Sequence, residues 1–230
     1  MELRRWWLLC VAMAGAAVVF AGCGGGGLNL PELPTVGDEQ LWGEVFSGSP
    51  PRVVDVRDAS DYEEAHIPTS ESTPHGRSVT GAAVATRVPG EDIVIVGQTE
   101  TDARRAAIDL LGPGETARAL AGGLNAWDCG LDINDVQLKH WIDGSRNVRL
   151  IDVRTYSEWW AERIDGSENL PVDEIDVWAP TIAPSEEVVV ICAGGVRSAQ
   201  ARDDLAGRGL TRVHNLLGGI GAWRYDLVCG

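Results

Sequence analysis

The segment Val188-Val-Val-Ile-Cys-Ala-Gly-Gly-Val-Arg-Ser198 runs four β-branched residues into a cysteine, and the loop that follows holds two glycines and an arginine. The β-branched run predicts a short buried strand, and Arg197-Ser-Ala-Gln-Ala-Arg-Asp-Asp-Leu205 predicts a helix opening directly after the loop. In that arrangement the loop amides converge on the Cys192 sulfur. A helix N-terminus carries about half a positive charge and Arg197 a whole one, and both lower the thiol pKa from its free value of about 8.5. Gly194 and Gly195 let the loop turn tightly with its N–H groups inward, a concavity suited to an anion. The chemistry this builds is nucleophilic. Cys192 attacks as a thiolate, Ala193, Gly194, Gly195, Val196 and Ser198 form the cradle, and Arg197 steers an anionic substrate. The competing reading is a core cysteine that merely closes a strand, against which the flanking Gly-Gly-x-Arg speaks.

Such a loop needs a sheet beneath it, and the chain supplies the pattern twice. Laid on itself with an offset near 96 residues, it aligns Val53-Val-Asp-Val-Arg57 with Leu150-Ile-Asp-Val-Arg154, Ile93–Val96 with Val188–Ile191, and Ala121-Gly-Gly-Leu-Asn-Ala-Trp127 with Leu217-Gly-Gly-Ile-Gly-Ala-Trp223. Two similar domains are therefore expected, residues 35–130 and 131–230. Short apolar strands alternate with helical stretches such as Thr101–Leu111 and Ser198–Ala206, the pattern of an α/β fold with a mostly parallel sheet flanked by helices on both faces. Ligands in such sheets bind beyond the carboxyl ends of the strands, where Cys192 is predicted to lie. The matching position in the first half is Gly97, and its loop, Gly97-Gln-Thr-Glu-Thr-Asp102, has acids where the second has glycines and an arginine. The first half is expected to do no covalent chemistry.

The 230 residues are 44% hydrophobic, enough for packed cores, and the formal net charge is −15. Only one of the 19 basic residues is a lysine, Lys139, which argues against nucleic acid as a partner. Arg4 and Arg5 precede an apolar stretch from Trp6 to Ala21, the charged and apolar regions of an export signal over residues 1–22. Its sixteen residues fall short of the ~20 of a comfortable membrane span. It ends in Phe20-Ala-Gly-Cys23, similar to the lipobox of bacterial lipoproteins, with Phe20 departing from the usual aliphatic residue. That resemblance implies lipidation of Cys23 and a membrane anchor on the extracytoplasmic side; an uncleaved anchor helix or secretion with Cys23 unmodified are the alternatives. Residues 24–34, rich in Gly and Pro, read as a flexible tether. With Cys10 in the signal, Cys129, Cys192 and Cys229 remain. Cys129 and Cys229 follow the two Gly-Gly segments and are candidates for a disulfide in an oxidising compartment if their Cα atoms come within about 7 Å. The alternative for Cys229 is a resolving thiol for Cys192. His75, His140 and His214 have no metal spacing with any cysteine, and His66 reads as a strand-end packing residue. No metal or cofactor is expected, and the oligomeric state is left open.

These residues resemble the rhodanese family, and the two halves together resemble a tandem-rhodanese sulfurtransferase from Thr35 to Gly230. In the second half Asp152-Val-Arg154 with Glu158-Trp159, Gly166-Ser-Glu-Asn-Leu-Pro171, the Cys192–Ser198 loop and Leu217–Trp223 are similar to four family motifs in order. The resemblance implies that Cys192 takes sulfur from a donor such as thiosulfate, becomes a persulfide, and passes the sulfur to cyanide or a thiol. Asp152, Arg154 and Glu158 take supporting roles, since strand-end carboxylates and guanidiniums commonly satisfy one another. Arg163 stands where the family has His, and Asp165 replaces a proline, which predicts a more positive entrance. Trp159, Trp160 and Trp178 are read as packing rather than a substrate lip. Two other classes stay in view. Phosphatases of this fold place five residues between Cys and Arg, whereas Ala193–Val196 are four; a surface-tethered binding or redox-sensing module would not need the reactive loop.

Overall fold

The computed structural model describes residues 30–75, 90–112 and 114–230. The export signal and Cys23 lie outside the described residues. No helix among the described residues is long and apolar enough to cross a membrane.

The first half comprises β1 (Thr35–Val36), α1 (Asp38–Val45), β2 (Arg52–Asp55), α2 (Ala59–Glu64), β3 (Ala65–His66), β4 (Glu71–Ser72), β5 (Ile93–Val96), α3 (Glu100–Leu110) and β6 (Arg118–Leu120). Its sheet is parallel throughout in the order β1-β6-β5-β2-β4. Alternate side chains of β5 face opposite ways: Ile93 and Ile95 meet Ala103, Ala106 and Ala107 of α3, while Val94 and Val96 meet Leu41 and Val45 of α1. Burial on both faces is why this strand reads as an unbroken apolar run.

The second half comprises β7 (Asp132–Ile133), α4 (Asp135–Asp143), β8 (Arg149–Asp152), α5 (Tyr156–Ala161), β9 (Glu168–Asn169), α6 (Ile175–Trp178), β10 (Val188–Ile191), α7 (Val196–Gly207), β11 (Val213–Leu216) and α8 (Gly219–Ala222). Here too the central strand is shared between two cores. Val188 and Val190 pack with Ala201 and Leu205 of α7, and Val189 and Ile191 pack with Leu138 and Trp141 of α4. Each such fully buried Val, Ile or Leu contributes about 1.5–3 kcal/mol relative to exposure. The α/β reading, with a mostly parallel sheet and helices on both faces in each half, is the observed architecture.

Two expectations about the ends of the halves are corrected. Part of the tether is packed: Leu33 is buried in the first core, the Pro31 carbonyl accepts from Arg104 Nη1 at 3.1 Å, and the Pro34 carbonyl accepts from the Ala119 amide at 2.8 Å. An apolar side chain and two unmet carbonyls, rather than glycine content, decide this segment. The halves also do not divide cleanly at residue 130. The second sheet runs β3-β7-β11-β10-β8-β9, so a first-half strand forms its edge, antiparallel to β7 with Ala65 opposite Ile133 and His66 opposite Asp132. His66 does pack at a strand end, its ring stacked on Tyr62 at 4.0 Å, but the strand belongs to the neighbouring sheet.

Candidate active site

Strand β10 delivers Cys192 to the carboxyl edge of the sheet, and α7 begins four residues later at Val196. Gly195 makes the turn possible: its φ is +88°, and a Cβ there would stand 2.9 Å from the Gly218 nitrogen. Gly194 has open space around it, so of the two loop glycines the backbone requires only the second. The Gly195 amide donates to Cys192 Sγ at 3.1 Å, and the Ser198 hydroxyl lies 3.3 Å from the same sulfur and 3.1 Å from the Gly195 carbonyl. Cys192 is 1% exposed. Burial pushes its thiol up, and the Ser198 hydroxyl with the backbone N–H groups of Ser198, Gly194 and Gly195 outweighs it, leaving the thiol below its usual value. Cys192 is thus both a core residue and an activated one. The two readings of the sequence are compatible.

Hydrogen bonds lead in stabilising the thiolate, and the Arg197 charge adds a coulombic attraction to it. Arg197 Nη2 donates to Glu158 Oε1 at 2.7 Å and Nη1 to Oε2 at 3.1 Å. Glu158 also closes a capping box with Thr155 at the start of α5, and Arg197, then Thr155, hold its carboxyl down to about 2. Through this pair α5 is tied to the first turn of α7, so Arg197 holds the loop in place with its charge matched. Asp152 and Arg154 stay one strand away. Arg154 Nε and Nη2 fork onto the Asp152 carboxylate at 2.8–3.0 Å, both groups are buried, and Arg154 Nη2 also donates to the Glu162 carbonyl. They bind strand to helix below the site.

The motif Leu217–Trp223 forms the far wall. Gly219 lies against the active-site backbone, the Ile220 amide donates to the Cys192 carbonyl at 2.8 Å, and the Gly221 amide donates to the Ala193 carbonyl at 2.9 Å. This brace was visible in the sequence only as a motif, because what it supplies is backbone. The Arg163 guanidinium lies over the Trp159 ring at 4.4 Å, and its backbone is bridged to Val228. Trp159 and Trp178 are packing residues, donating to Ser167 and to the Pro171 carbonyl; Trp160 is half exposed.

In the first half the same place is blank by geometry as well as by residue type. A Cβ on Gly97 would stand 2.7 Å from Asp102 Cβ and 2.8 Å from the Ala103 nitrogen, because Thr99 already caps α3 with Asp102 closing the box. A cavity of about 400 Å³ lies there, walled by residues including Asp58, Asp61, His75, Gly97, Asp102 and Arg105. No cluster of metal-ligating side chains occurs among the described residues.

Cys129 and Cys229 are free thiols, so the pairing considered from the sequence is not formed. Cys129 is buried beside Gly130, whose amide donates to the Thr211 carbonyl, whereas the Cys229 segment runs along Arg163 and Trp160 at the end of α5. Burial, reinforced by Asp38, Glu39 and Asp128, pushes the Cys129 thiol up to about 12. Iodoacetamide at pH 7 is therefore expected to spare Cys129 in the folded protein and label it only after denaturation; peptide mapping that finds it labelled as fast as Cys192 refutes this assignment.

Fold and loop together define an α/β protein with an activated thiol at the carboxyl end of a central strand. Residues 39–128 and 135–226 match the rhodanese-like domain, and the chain belongs to the rhodanese-like family, with the domain present twice. Over 96 residues it is 34% identical to the probable adenylyltransferase/sulfurtransferase MoeZ of Mycobacterium tuberculosis, covering 41% of this chain and 24% of that protein. Over 92 residues it is 35% identical to a protein named sulfurtransferase from Allochromatium vinosum, covering 40% of this chain and 86% of that one. The crystal structure of thiosulfate sulfurtransferase from Pseudomonas aeruginosa aligns at 21% identity over 86% of this chain and 44% of that one, with a TM-score of 0.39. The chain spans about a quarter of the mycobacterial relative's length. At the level of the family, the domain match and the two relatives named as sulfurtransferases support a rhodanese-type sulfur transfer.

Proposed function

We propose that the protein is a sulfurtransferase that carries sulfane sulfur on Cys192, from an anionic donor such as thiosulfate to a thiophilic acceptor such as cyanide or a thiol. The observation that carries this reading is the set of N–H and O–H donors directed at one buried sulfur. The Cys192 thiolate attacks the outer sulfur of thiosulfate, the S–S bond breaks, and sulfite leaves with the bonding pair. The new Cys192 persulfide carries its negative charge on the terminal sulfur, and the amides of the loop are placed to stabilise it as an oxyanion hole stabilises oxygen. Attack by the acceptor on that terminal sulfur returns the thiolate. Arg197, although paired with Glu158, is about one-third exposed and lies at the loop, where it can draw in the donor.

The four-residue spacing between Cys192 and Arg197 favours a sulfur over a phosphate. A binding module has no use for a thiol whose pKa is lowered by a set of loop donors. Lipid attachment through Cys23 and an extracytoplasmic location complete the proposal, with the export-signal pattern of residues 1–22 as their support. Treatment with thiosulfate should add one sulfur atom to the intact mass, lost on cyanide treatment and absent from Cys192→Ala. No adduct on the parent protein, or an adduct retained in Cys192→Ala, refutes the reading.

A further inference from the structure

Helix α7 completes the Cys192 loop, and its buried stripe is Ser198, Ala201, Arg202 and Leu205. Ala201 and Leu205 enter the apolar core. Arg202 does not. It forms a buried ion pair with Asp132 in β7, where Asn215 Nδ2 also donates to the same carboxylate at 3.0 Å. Phe46, which follows α1 in the first half, lies against its guanidinium, with Cζ 5.6 Å from the ring centre. Asp132 stands opposite His66 of β3 in the shared sheet, and His66 Nε2 is 4.0 Å from its Oδ2. The one charged residue on the inner stripe of α7 is thus held from the seam between the halves and from the first half itself.

We infer that the first half, which carries Gly97 where the second carries Cys192, is a positioning element for the second: through Phe46 against Arg202, and through β3 against the strand whose Asp132 pairs with Arg202, it fixes the rotation of α7, and with it the seat of the Ser198 hydroxyl and the loop amides on the Cys192 sulfur. Apolar burial is non-directional, so Ala201 and Leu205 hold the helix against the sheet without fixing its azimuth. A guanidinium–carboxylate pair is directional and does fix it. Ser198 and Arg202 are four residues apart, one turn along the same stripe. Helix Cα atoms lie about 2.3 Å from the axis and a hydroxyl farther out, so a rotation of about 15° carries Ser198 Oγ by about 1 Å. A contact of 3.3 Å to sulfur does not survive that.

The inference rests on Cys192 acting as a thiolate, and the experiment separates the two. In a Cys229→Ser background, the rate of Cys192 alkylation by iodoacetamide is followed against pH for the parent and for Phe46→Ala, Arg202→Met, Arg202→Lys and Ser198→Ala, with near-ultraviolet circular dichroism as the check on folding. Arg202→Met is expected to slow alkylation at pH 7 by about tenfold and move the profile to higher pH, Phe46→Ala to slow it about threefold, and Arg202→Lys to fall between parent and Met. A role confined to stability lowers the melting temperature and leaves the profile in place. If Phe46→Ala follows the parent profile while Ser198→Ala departs from it, the inference is overturned, whatever Arg202→Met does, and the thiolate reading stands. Should Arg202→Met fail to fold, Phe46→Ala alone decides. If Ser198→Ala also follows the parent, the hydroxyl does not hold the thiol down, and the inference about its seat fails with it.

Discussion

Gly219→Ala is expected to abolish sulfur uptake and to lower stability by ~2–5 kcal/mol. Gly219 has φ +54°, and a Cβ there would stand 2.1 Å from the Cys192 carbonyl oxygen and 2.9 Å from the Ala193 carbonyl carbon. A left-handed conformation costs a non-glycine residue about 1–2 kcal/mol, and overpacking against fixed backbone about 1–3 more. The displaced atoms belong to the backbone that aims the thiol, so the loop must move if the chain is to fold at all. Gly194→Ala is the control: it meets nothing within 4 Å and keeps its amide, and is expected to stay within about 0.5 kcal/mol of the parent. Urea midpoints and the mass of the thiosulfate adduct decide the matter. A Gly219→Ala protein that matches the parent in both contradicts the described brace.

The second large effect is expected at Arg154, where burial decides the outcome. Arg154→Met leaves Asp152, a fully buried carboxylate, without its forked partner, and breaking one side of such a pair costs about 3–5 kcal/mol. Arg197→Met removes an ion pair of similar geometry, but its members are 35% and 37% exposed, and pairs of that kind contribute about 0–1 kcal/mol. Denaturant unfolding of the two variants should therefore separate them by several kcal/mol. Equal losses would mean that Asp152 finds another partner or that the surface pair carries unusual energy. The sulfur-transfer consequences run the other way: Arg197→Met keeps its stability and loses affinity for an anionic donor.

Residue types and spacing were a sufficient guide wherever side chains recur at a period or stand in a motif. The two β-branched strands, the internal repeat and the Cys192 loop were readable for that reason, and so was the blank at Gly97. What escaped was of two kinds. Some contacts are made by backbone, as with the Ile220 and Gly221 amides on the Cys192 strand end, and no side-chain pattern announces them. Others join residues far apart in sequence. Arg197 meets Glu158, and Arg202 meets Asp132 and Phe46, pairings that depend on which elements the topology lays side by side. Strand β3 is the plainest case. Ala65 and His66 are too short a run to signal a strand, and local preference says nothing about which of two sheets will take them. The tether failed by a related route, since composition recorded its glycines and prolines and overlooked the single leucine that anchors it.

The shared sheet bears on how this chain survives its own synthesis. The first half leaves the ribosome with β3 and no strand to pair it, and the second half by itself would expose the open ladder of β7, a surface that invites strands from other chains. Each half sheathes the other's weak point. The first half therefore covers a sheet edge of the second, and cutting the gene between the repeats is expected to trade a self-contained molecule for one prone to join its neighbours edge to edge.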